Sequence, residues 1–96
     1  MIFIINGMKY DTDKMQKIAE VKKWYKSNNP FLSKECLGTT YNCELWKSKK
    51  GNWLLTYEGD YHKHKGEAIK ESEAKDLLMY QAYKAYEKQF GNIPEA

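Results

Sequence analysis

The sequence contains no arginine, since all 16 of its basic residues are lysines. Arginine supplies the planar, bidentate fork that reads guanine edges, whereas lysine carries a compact and strongly hydrated charge. The absence of arginine therefore argues against sequence-specific reading of the DNA major groove. Attraction to phosphate groups stays open, because lysine alone provides it.

Cysteine is scarce, and long hydrophobic runs are missing. The two cysteines, Cys36 and Cys43, are too few for a disulfide-stapled secreted scaffold. Residues 1–5 are apolar, but they are shorter than the hydrophobic region of a signal peptide and carry no basic residues before them. No run of apolar residues is long enough to cross a membrane. We therefore expect a reduced, cytoplasmic protein without membrane contacts.

The residues that are present are typical of one small globular domain. The 96 residues are 42% hydrophobic and 30% charged, and they include three Trp, eight Tyr and three Phe. The net charge of +3 is unevenly distributed, since residues 71–96 hold only three of the lysines but five of the 13 acidic residues. The body of the chain is therefore basic, and its C-terminal part is acidic.

A first β-hairpin is predicted at the N-terminus. Residues 2–5 and 8–10 flank Asn6-Gly7, a dipeptide that tolerates the positive φ angles of a type I′ turn. Asp11–Asp13 then forms a turn or a helix start, with acidic residues where a helix N-terminus favours them.

A second hairpin is predicted in the centre of the chain. Residues 41–46 alternate between apolar and polar side chains, which indicates a half-buried strand. A turn at residues 48–52 leads to a second strand at residues 53–58, which is rich in aromatic and aliphatic residues. Residues 59–66 are predicted to form a polar loop.

Residues 14–26 fit two patterns. One helical face would carry Met15, Ile18, Ala19, Lys22 and Tyr25. Residues 19, 21, 23 and 25 also alternate, which favours a strand through residues 18–26. We take the helix as the expectation and keep the strand as the alternative. Ser27–Pro30 then ends the element.

The last predicted helix runs from Glu73 to Phe90, with Ser72 as its N-cap and Gly91 after its end. The stripe expected to face the sheet consists of Ala74, Leu78, Ala82, Ala85 and Tyr86. The predicted fold class is therefore α+β. It is a small antiparallel sheet of two β-hairpins, with the C-terminal helix and a second, short helix packed on it.

The far side of this helix carries Leu77, Tyr80 and Lys84, where a surface helix is normally polar. Such spacing lets an exposed helix offer anchors to a partner. We predict Leu77, Tyr80, Tyr83 and Lys84 as partner-binding residues. The alternative is that the first helix packs over them and makes them core.

The tip of the second hairpin interleaves lysines with aromatic residues. Its candidates for nucleic-acid binding are Trp46, Lys47, Lys49, Lys50 and Trp53, with charge for phosphates and rings for bases. A similar cluster comprises Lys22, Lys23, Trp24 and Lys26. The alternative is that the lysines serve solubility and the tryptophans lie partly in the core.

Catalytic and metal-binding patterns are weak. Asp60, His62 and His64 are close together, but they match no zinc spacing, and neighbouring lysines favour a solvated loop. Cys43 lies on the apolar face of its strand, which indicates an inert, buried thiol. No glycine-rich phosphate cradle or catalytic triad is present. We therefore predict no catalytic residue, no metal and no cofactor.

Five stretches of the chain carry a resemblance to a recurring type of small protein. They are Lys9–Asp13, Leu45–Leu55, Glu58–Gly59, Glu71–Lys75 and Tyr86–Gly91. With them the chain resembles small proteins of phages, plasmids and other mobile elements of low-GC Gram-positive bacteria. This chain departs from that type in lacking a longer glycine-rich segment after Gly59.

The resemblance implies a setting shared with anti-defence proteins, including anti-CRISPR inhibitors, which block a host nuclease without chemistry of their own. This chain is basic, whereas many such inhibitors are acidic mimics of nucleic acid. We therefore expect a non-enzymatic protein-binding module whose partner is a CRISPR effector or another host nuclease. The alternative is a nucleic-acid-binding accessory or regulatory protein. The sequence specifies no oligomeric state.

Overall fold

The computed structural model describes residues 1–26, 38–59 and 62–96, and its strands form two antiparallel sheets. The elements are β1 (Ile2–Ile5), β2 (Met8–Asp11), a 3₁₀ helix (Thr12–Lys14), β3 (Gln16–Lys26), β4 (Gly38–Lys47), β5 (Trp53–Glu58), β6 (His64–Ile69), α1 (Glu71–Gln81) and α2 (Tyr83–Phe90). β1 pairs only with β2, whereas β3, β4, β5 and β6 form a four-stranded sheet in chain order. The predicted α+β class is confirmed.

Both predicted hairpins are present, and their turns have the expected backbone. Asn6 and Gly7 adopt φ angles of 52° and 77°, as a type I′ turn requires. The Asp11 carboxylate accepts a hydrogen bond from the Asp13 N–H at 3.1 Å, and this begins the 3₁₀ helix. In the β4–β5 turn, Gly51 has a φ of 86°.

Residues 14–26 contain a strand, so the expected helix is wrong. β3 pairs antiparallel with β4 along its length, and the alternation through residues 18–26 is the correct interpretation. The strand is favoured over the helix because it places both Val21 and Tyr25 on the core side of the sheet. In the helix, Val21 would lie off the predicted apolar face. The predicted break at residues 27–30 lies outside the described residues.

The polar loop predicted at residues 59–66 is too long, because β6 begins at His64. This strand pairs with β5 from His64 opposite Glu58 to Ile69 opposite Trp53. Its sequence, HKGEAI, is polar because it forms the edge of the sheet, and charged residues are common on edge strands. Composition alone therefore indicated a loop.

The predicted helix over residues 73–90 is divided into two at Ala82, which has φ −147° and ψ 60°. The Ala82 N–H closes α1 by donating to the Leu78 carbonyl at 2.8 Å, and the Ala82 carbonyl opens α2 by accepting from the Tyr86 N–H at 3.1 Å. Lys70, and not Ser72, is the N-cap of α1, and it makes no side-chain cap bond. Gly91 ends α2 as predicted, with a φ of 102°.

The two helices cover one face of the four-stranded sheet. The buried residues of this core are Val21, Cys43, Leu45, Trp53, Leu55, Ala74 and Leu78. The predicted helical stripe is confirmed, because Ala74 and Leu78 are fully buried and Ala82, Ala85 and Tyr86 pack around them. At 11 and eight residues, α1 and α2 are too short to span a membrane, and no other described helix is longer.

The opposite face of the sheet contacts the β1–β2 hairpin. The ring of Phe3 lies against the backbone of Gly66 in β6. Leu54 and Thr56 of β5 are buried, and the Trp46 indole N–H donates to the Thr56 hydroxyl at 2.9 Å. The protein is therefore a three-layer arrangement of helices, sheet and hairpin.

Gly66 is required for the contact between the hairpin and the sheet. A Cβ at this position would lie 2.7 Å from two atoms of the Phe3 ring. We expect Gly66→Ala to lower the free energy of unfolding by about 1–3 kcal/mol, because the ring must move away from the sheet. Urea unfolding monitored by tryptophan fluorescence measures the change.

Gly59→Ala is the matched control, because the atoms nearest to its Cβ would belong to the flexible side chain of Lys65, at 3.1 Å. We expect this variant to keep nearly the stability of the unaltered protein. If both variants lost the same stability, the proposed role of the Phe3 contact would be wrong.

Candidate functional site

The junction of α1 and α2 presents two large aromatic side chains to solvent. Tyr80 and Tyr83 flank the break at Ala82 and are 81% and 55% exposed. The hydrogen bonds that Ala82 makes to both helices hold the backbone between the two tyrosines. The aromatic residues predicted as partner anchors are therefore at the surface and are not covered by another described element.

The four residues predicted for partner binding do not form one helical face. Leu77 is partly buried and packs against the core, whereas Lys84 is exposed at the start of α2. Because the helix breaks at Ala82, the predicted i, i+3, i+7 spacing across Leu77, Tyr80 and Lys84 is interrupted. The accessible part of the set consists of Tyr80, Tyr83 and Lys84.

A basic cleft forms where the β4–β5 turn meets the first hairpin. Lys49 and Lys50 are exposed at the turn, and the chain brings Lys9 of β2 and Lys14 of the 3₁₀ helix to the same depression. The depression has a volume of about 490 Å³, and Asp11 is the one acidic residue in its described lining. We call Lys9, Lys14, Lys49 and Lys50 the basic cleft.

The two tryptophans of the second hairpin do not flank this cleft as open stacking platforms. Trp53 is only 2% exposed and packs on Phe90, with ring centroids 5.7 Å apart. Trp46 is partly buried on the other face, where Thr56 accepts its indole N–H. The prediction that a base stacks on Trp53 is therefore wrong, because both faces of a core ring are already in contact.

Lys47 also differs from its predicted role at the tip. Its ammonium lies 5.3 Å from the centre of the Trp53 ring and donates to the Gln89 side chain at 3.4 Å. These contacts join β4 to α2, so Lys47 contributes to packing. Of the predicted hairpin lysines, Lys49 and Lys50 are exposed, whereas Lys47 is partly buried.

The second predicted Lys/Trp cluster is divided by strand alternation. Lys22, Trp24 and Lys26 point to one face of β3, and Lys23 points to the other. The Lys23 ammonium binds the Glu67 carboxylate at 2.7 Å and the Glu73 carboxylate at 2.9 Å. Lys23 therefore connects β3 to β6 and α1. Although burial opposes its charge, the two carboxylates raise its pKa.

Three tyrosine rings pack beside this ion-pair network. Tyr25 stacks on Tyr57 with ring centroids 4.5 Å apart, and Tyr41 contacts both rings. The Tyr25 hydroxyl donates to Glu67 at 3.0 Å. Burial raises the pKa of Tyr25, and the bond to Glu67 raises it further. Burial also raises the pKa of Tyr57.

The thiol of Cys43 lies in the core, as predicted. Cys43 is 1% exposed, and its Sγ contacts the Tyr41 carbonyl at 3.5 Å. Burial raises the pKa of the thiol, which disfavours the reactive thiolate. Cys36 lies outside the described residues.

The histidines do not form a metal site with other described residues. His62 precedes β6 and contacts the Glu58 carboxylate, whereas His64 belongs to β6. Asp60, the third residue of the predicted cluster, lies outside the described residues. Across residues 1–26, 38–59 and 62–96, no three or more His, Cys, Asp or Glu side chains are grouped to hold a metal.

No protein-family model, curated protein or solved structure matches this chain.

Two features of the surface were missed in the sequence. Lys9 and Lys14 belong to no site predicted from the sequence, because only tertiary contacts bring them to the β4–β5 turn. The outer face of the first hairpin exposes Ile2 and Ile4, at 56% and 68%. The alternation of β1 was the available signal for this apolar surface, since one of its faces must point away from the sheet.

Stability should fall at alkaline pH because of the tyrosine cluster. The raised pKa values of Tyr25, Tyr57 and Cys43 mean that folding favours their neutral forms. Their contribution is complete below the unfolded-state pKa values, about 8.5 for cysteine and 10 for tyrosine, and is lost as the pH rises further. The raised pKa of Lys23 acts in the same direction.

We expect the free energy of unfolding to decrease with pH from about pH 8.5 upward. The double variant Tyr25→Phe, Tyr57→Phe should show a shallower decrease above about pH 10, because two phenols no longer ionise on unfolding. Urea titrations at a series of pH values provide the slopes. Equal slopes for the two proteins would contradict the assignment to these tyrosines.

Proposed function

We propose that this chain acts by binding another protein, without catalysing a reaction, and that Tyr80 and Tyr83 are the main anchors. The supporting observation is the exposure of both rings, 81% and 55%, at the junction of two helices, where Ala82 makes backbone hydrogen bonds to both. Tyrosine is enriched among residues that dominate binding energy. It buries a large area and loses few rotatable bonds on binding.

The charge of Lys84 favours an acidic group on the partner next to Tyr83. Lys84 is exposed directly after Tyr83, within a C-terminal part of the chain that is acidic as a whole. Exposed charges around an aromatic centre change the association rate more than the final affinity. The tyrosines therefore provide binding energy, while Lys84 steers the encounter.

The partner we propose is a host defence nuclease. The resemblance to small proteins of mobile elements supports a host defence nuclease, such as a CRISPR effector, as the protein to test first. The inhibitor would act by occupying a surface that the nuclease needs, because binding alone blocks such an enzyme. This step of the proposal rests on the resemblance in sequence.

The test uses a panel of purified CRISPR effectors and other host nucleases, with binding measured by biolayer interferometry and cleavage measured in parallel. We expect one of them to bind and lose activity. Tyr80→Ala combined with Tyr83→Ala should weaken that binding by about a hundredfold or more, because each anchor contributes at least about 1.4 kcal/mol, which is a factor of ten. Leu77 is left unchanged, because it packs against the core.

The matched control is Ile2→Ser combined with Ile4→Ser, which removes two exposed apolar residues on the other side of the sheet. This variant should bind as tightly as the unaltered protein. Circular dichroism melts confirm that both variants are folded. Loss of binding in the isoleucine variant alone would overturn the assignment to the tyrosines.

A second candidate function is supported by the basic cleft. Four lysines from three parts of the chain, Lys9, Lys14, Lys49 and Lys50, gather around one depression. Such a cluster attracts the phosphates of a nucleic acid. Because Trp53 is in the core, we propose contacts to phosphates only, which would not distinguish one sequence from another.

Fluorescence anisotropy with labelled single- and double-stranded DNA and RNA tests this candidate. Lys49→Glu with Lys50→Glu should weaken binding for every nucleic-acid sequence and reduce the salt slope by about one per lysine. Lys9→Glu with Lys14→Glu should do the same, since both pairs line the cleft.

Lys84→Glu with Lys88→Glu provides the control, because it makes the same change of charge on α2 at two exposed lysines that do not line the cleft. An equal loss of affinity in all three variants would indicate a general effect of net charge. It would contradict a site at the cleft.

A further inference from the structure

At the outer edge of β3, the side chain of Gln81 shows which way the strand's backbone groups point. β3 is the end strand of the four-stranded sheet, and no described strand pairs with its outer edge. The Lys22 N–H donates to the Gln81 side-chain oxygen at 2.7 Å, and the Lys22 carbonyl accepts from the Gln81 amide nitrogen at 2.7 Å. The backbone groups of Lys22 therefore point away from β4.

Alternate residues of an antiparallel strand direct their backbone groups to the same side. Glu20, Trp24 and Lys26 therefore share the outward direction of Lys22. Because successive side chains alternate between faces, these four residues also share the face of the sheet opposite the helices. The outer edge of β3 is thus a row of four residues with outward backbone donors and acceptors.

Gln81 takes the place of a neighbouring strand at one point of this row. A carboxamide carries the same donor and acceptor as a peptide group, and both are used on Lys22. Gln81 is the last residue of α1, so the end of the helix places it over the edge. Unpaired strand edges of this kind bind further strands.

We propose that the outer edge of β3 binds the same edge of a second copy of this chain, antiparallel and centred on Lys23. This register pairs Glu20 of each copy with Lys26 of the other, and Lys22 of each copy with Trp24 of the other. Each outward pair would exchange two backbone hydrogen bonds, and the partner's peptide groups would replace the Gln81 amide at Lys22.

The side chains of the row favour a second copy as the occupant, because the row is complementary to itself. Two-fold symmetry makes each favourable pair occur twice. Glu20 and Lys26 have opposite charges, and both are exposed. Trp24 is 45% exposed, and a lysine ammonium beside its ring makes a favourable cation–π contact. A shift by two residues would place Lys22 opposite Lys22 or Trp24 opposite Trp24, without the charge pairs at Glu20 and Lys26. The proposed register places Lys23 opposite Lys23 on the other face, where Glu67 and Glu73 of each copy already bind the lysine charge.

Sedimentation equilibrium over micromolar to millimolar concentrations tests the proposal. We expect a monomer–dimer equilibrium for the unaltered chain. Glu20→Lys should weaken the dimer by about tenfold, because two attractive cross-strand pairs become repulsive. Combining Glu20→Lys with Lys26→Glu should restore the affinity to within about threefold, since the pairs are then reversed but again attractive.

Gln81→Ala provides an independent test. Removing the amide that competes with the partner strand should tighten the dimer, with circular dichroism melts showing that the variant is folded. A chain that stays monomeric at every concentration, in both the unaltered and the Gln81→Ala form, would overturn the proposal. So would a dimer that Glu20→Lys does not weaken, because the interface would then lie elsewhere.

Discussion

The pairing of β3 with β4 is the interaction on which the rest of the structure depends. It places Val21 and Tyr25 on the same face as Cys43 and Leu45, and so creates the apolar surface on which α1 packs. It also brings Lys23 within reach of the two carboxylates that join β3 to β6 and α1. Without this ladder the helices would have no complete sheet to cover, because β4 would become the edge.

The same pairing explains the shape of the C-terminal segment. α1 packs against β3, and its last residue, Gln81, is bound to the backbone of Lys22. The chain then changes direction at Ala82, so that α2 can lay Phe90 against Trp53 at the other end of the sheet. Tyr80 and Tyr83 lie on either side of this break, and both are exposed.

Six of the lysines fall into two groups according to their neighbours. Lys23 and Lys47 lie over aromatic rings and contact polar side chains, so they belong to the packing of the sheet. Lys49 and Lys50 extend into solvent and meet Lys9 and Lys14 across the basic cleft. Lysines with the same chemistry therefore have different roles, because burial and neighbouring side chains determine whether the ammonium group is free to bind a ligand.

Local patterns in the sequence determined the two hairpins, the Asn6-Gly7 turn, the end of α2 at Gly91 and the helical stripe with Ala74 and Leu78. Each of these depends on neighbouring residues, through turn geometry or side-chain periodicity. The tertiary structure alone decided that β3 is a strand, since its apolar residues fit both periods and only β4 supplies its hydrogen bonds. It also decided that β6 is a strand, that the helix breaks at Ala82, that Trp53 is buried, and that four distant lysines share one cleft. These features depend on contacts between residues far apart in the chain, which no local pattern encodes.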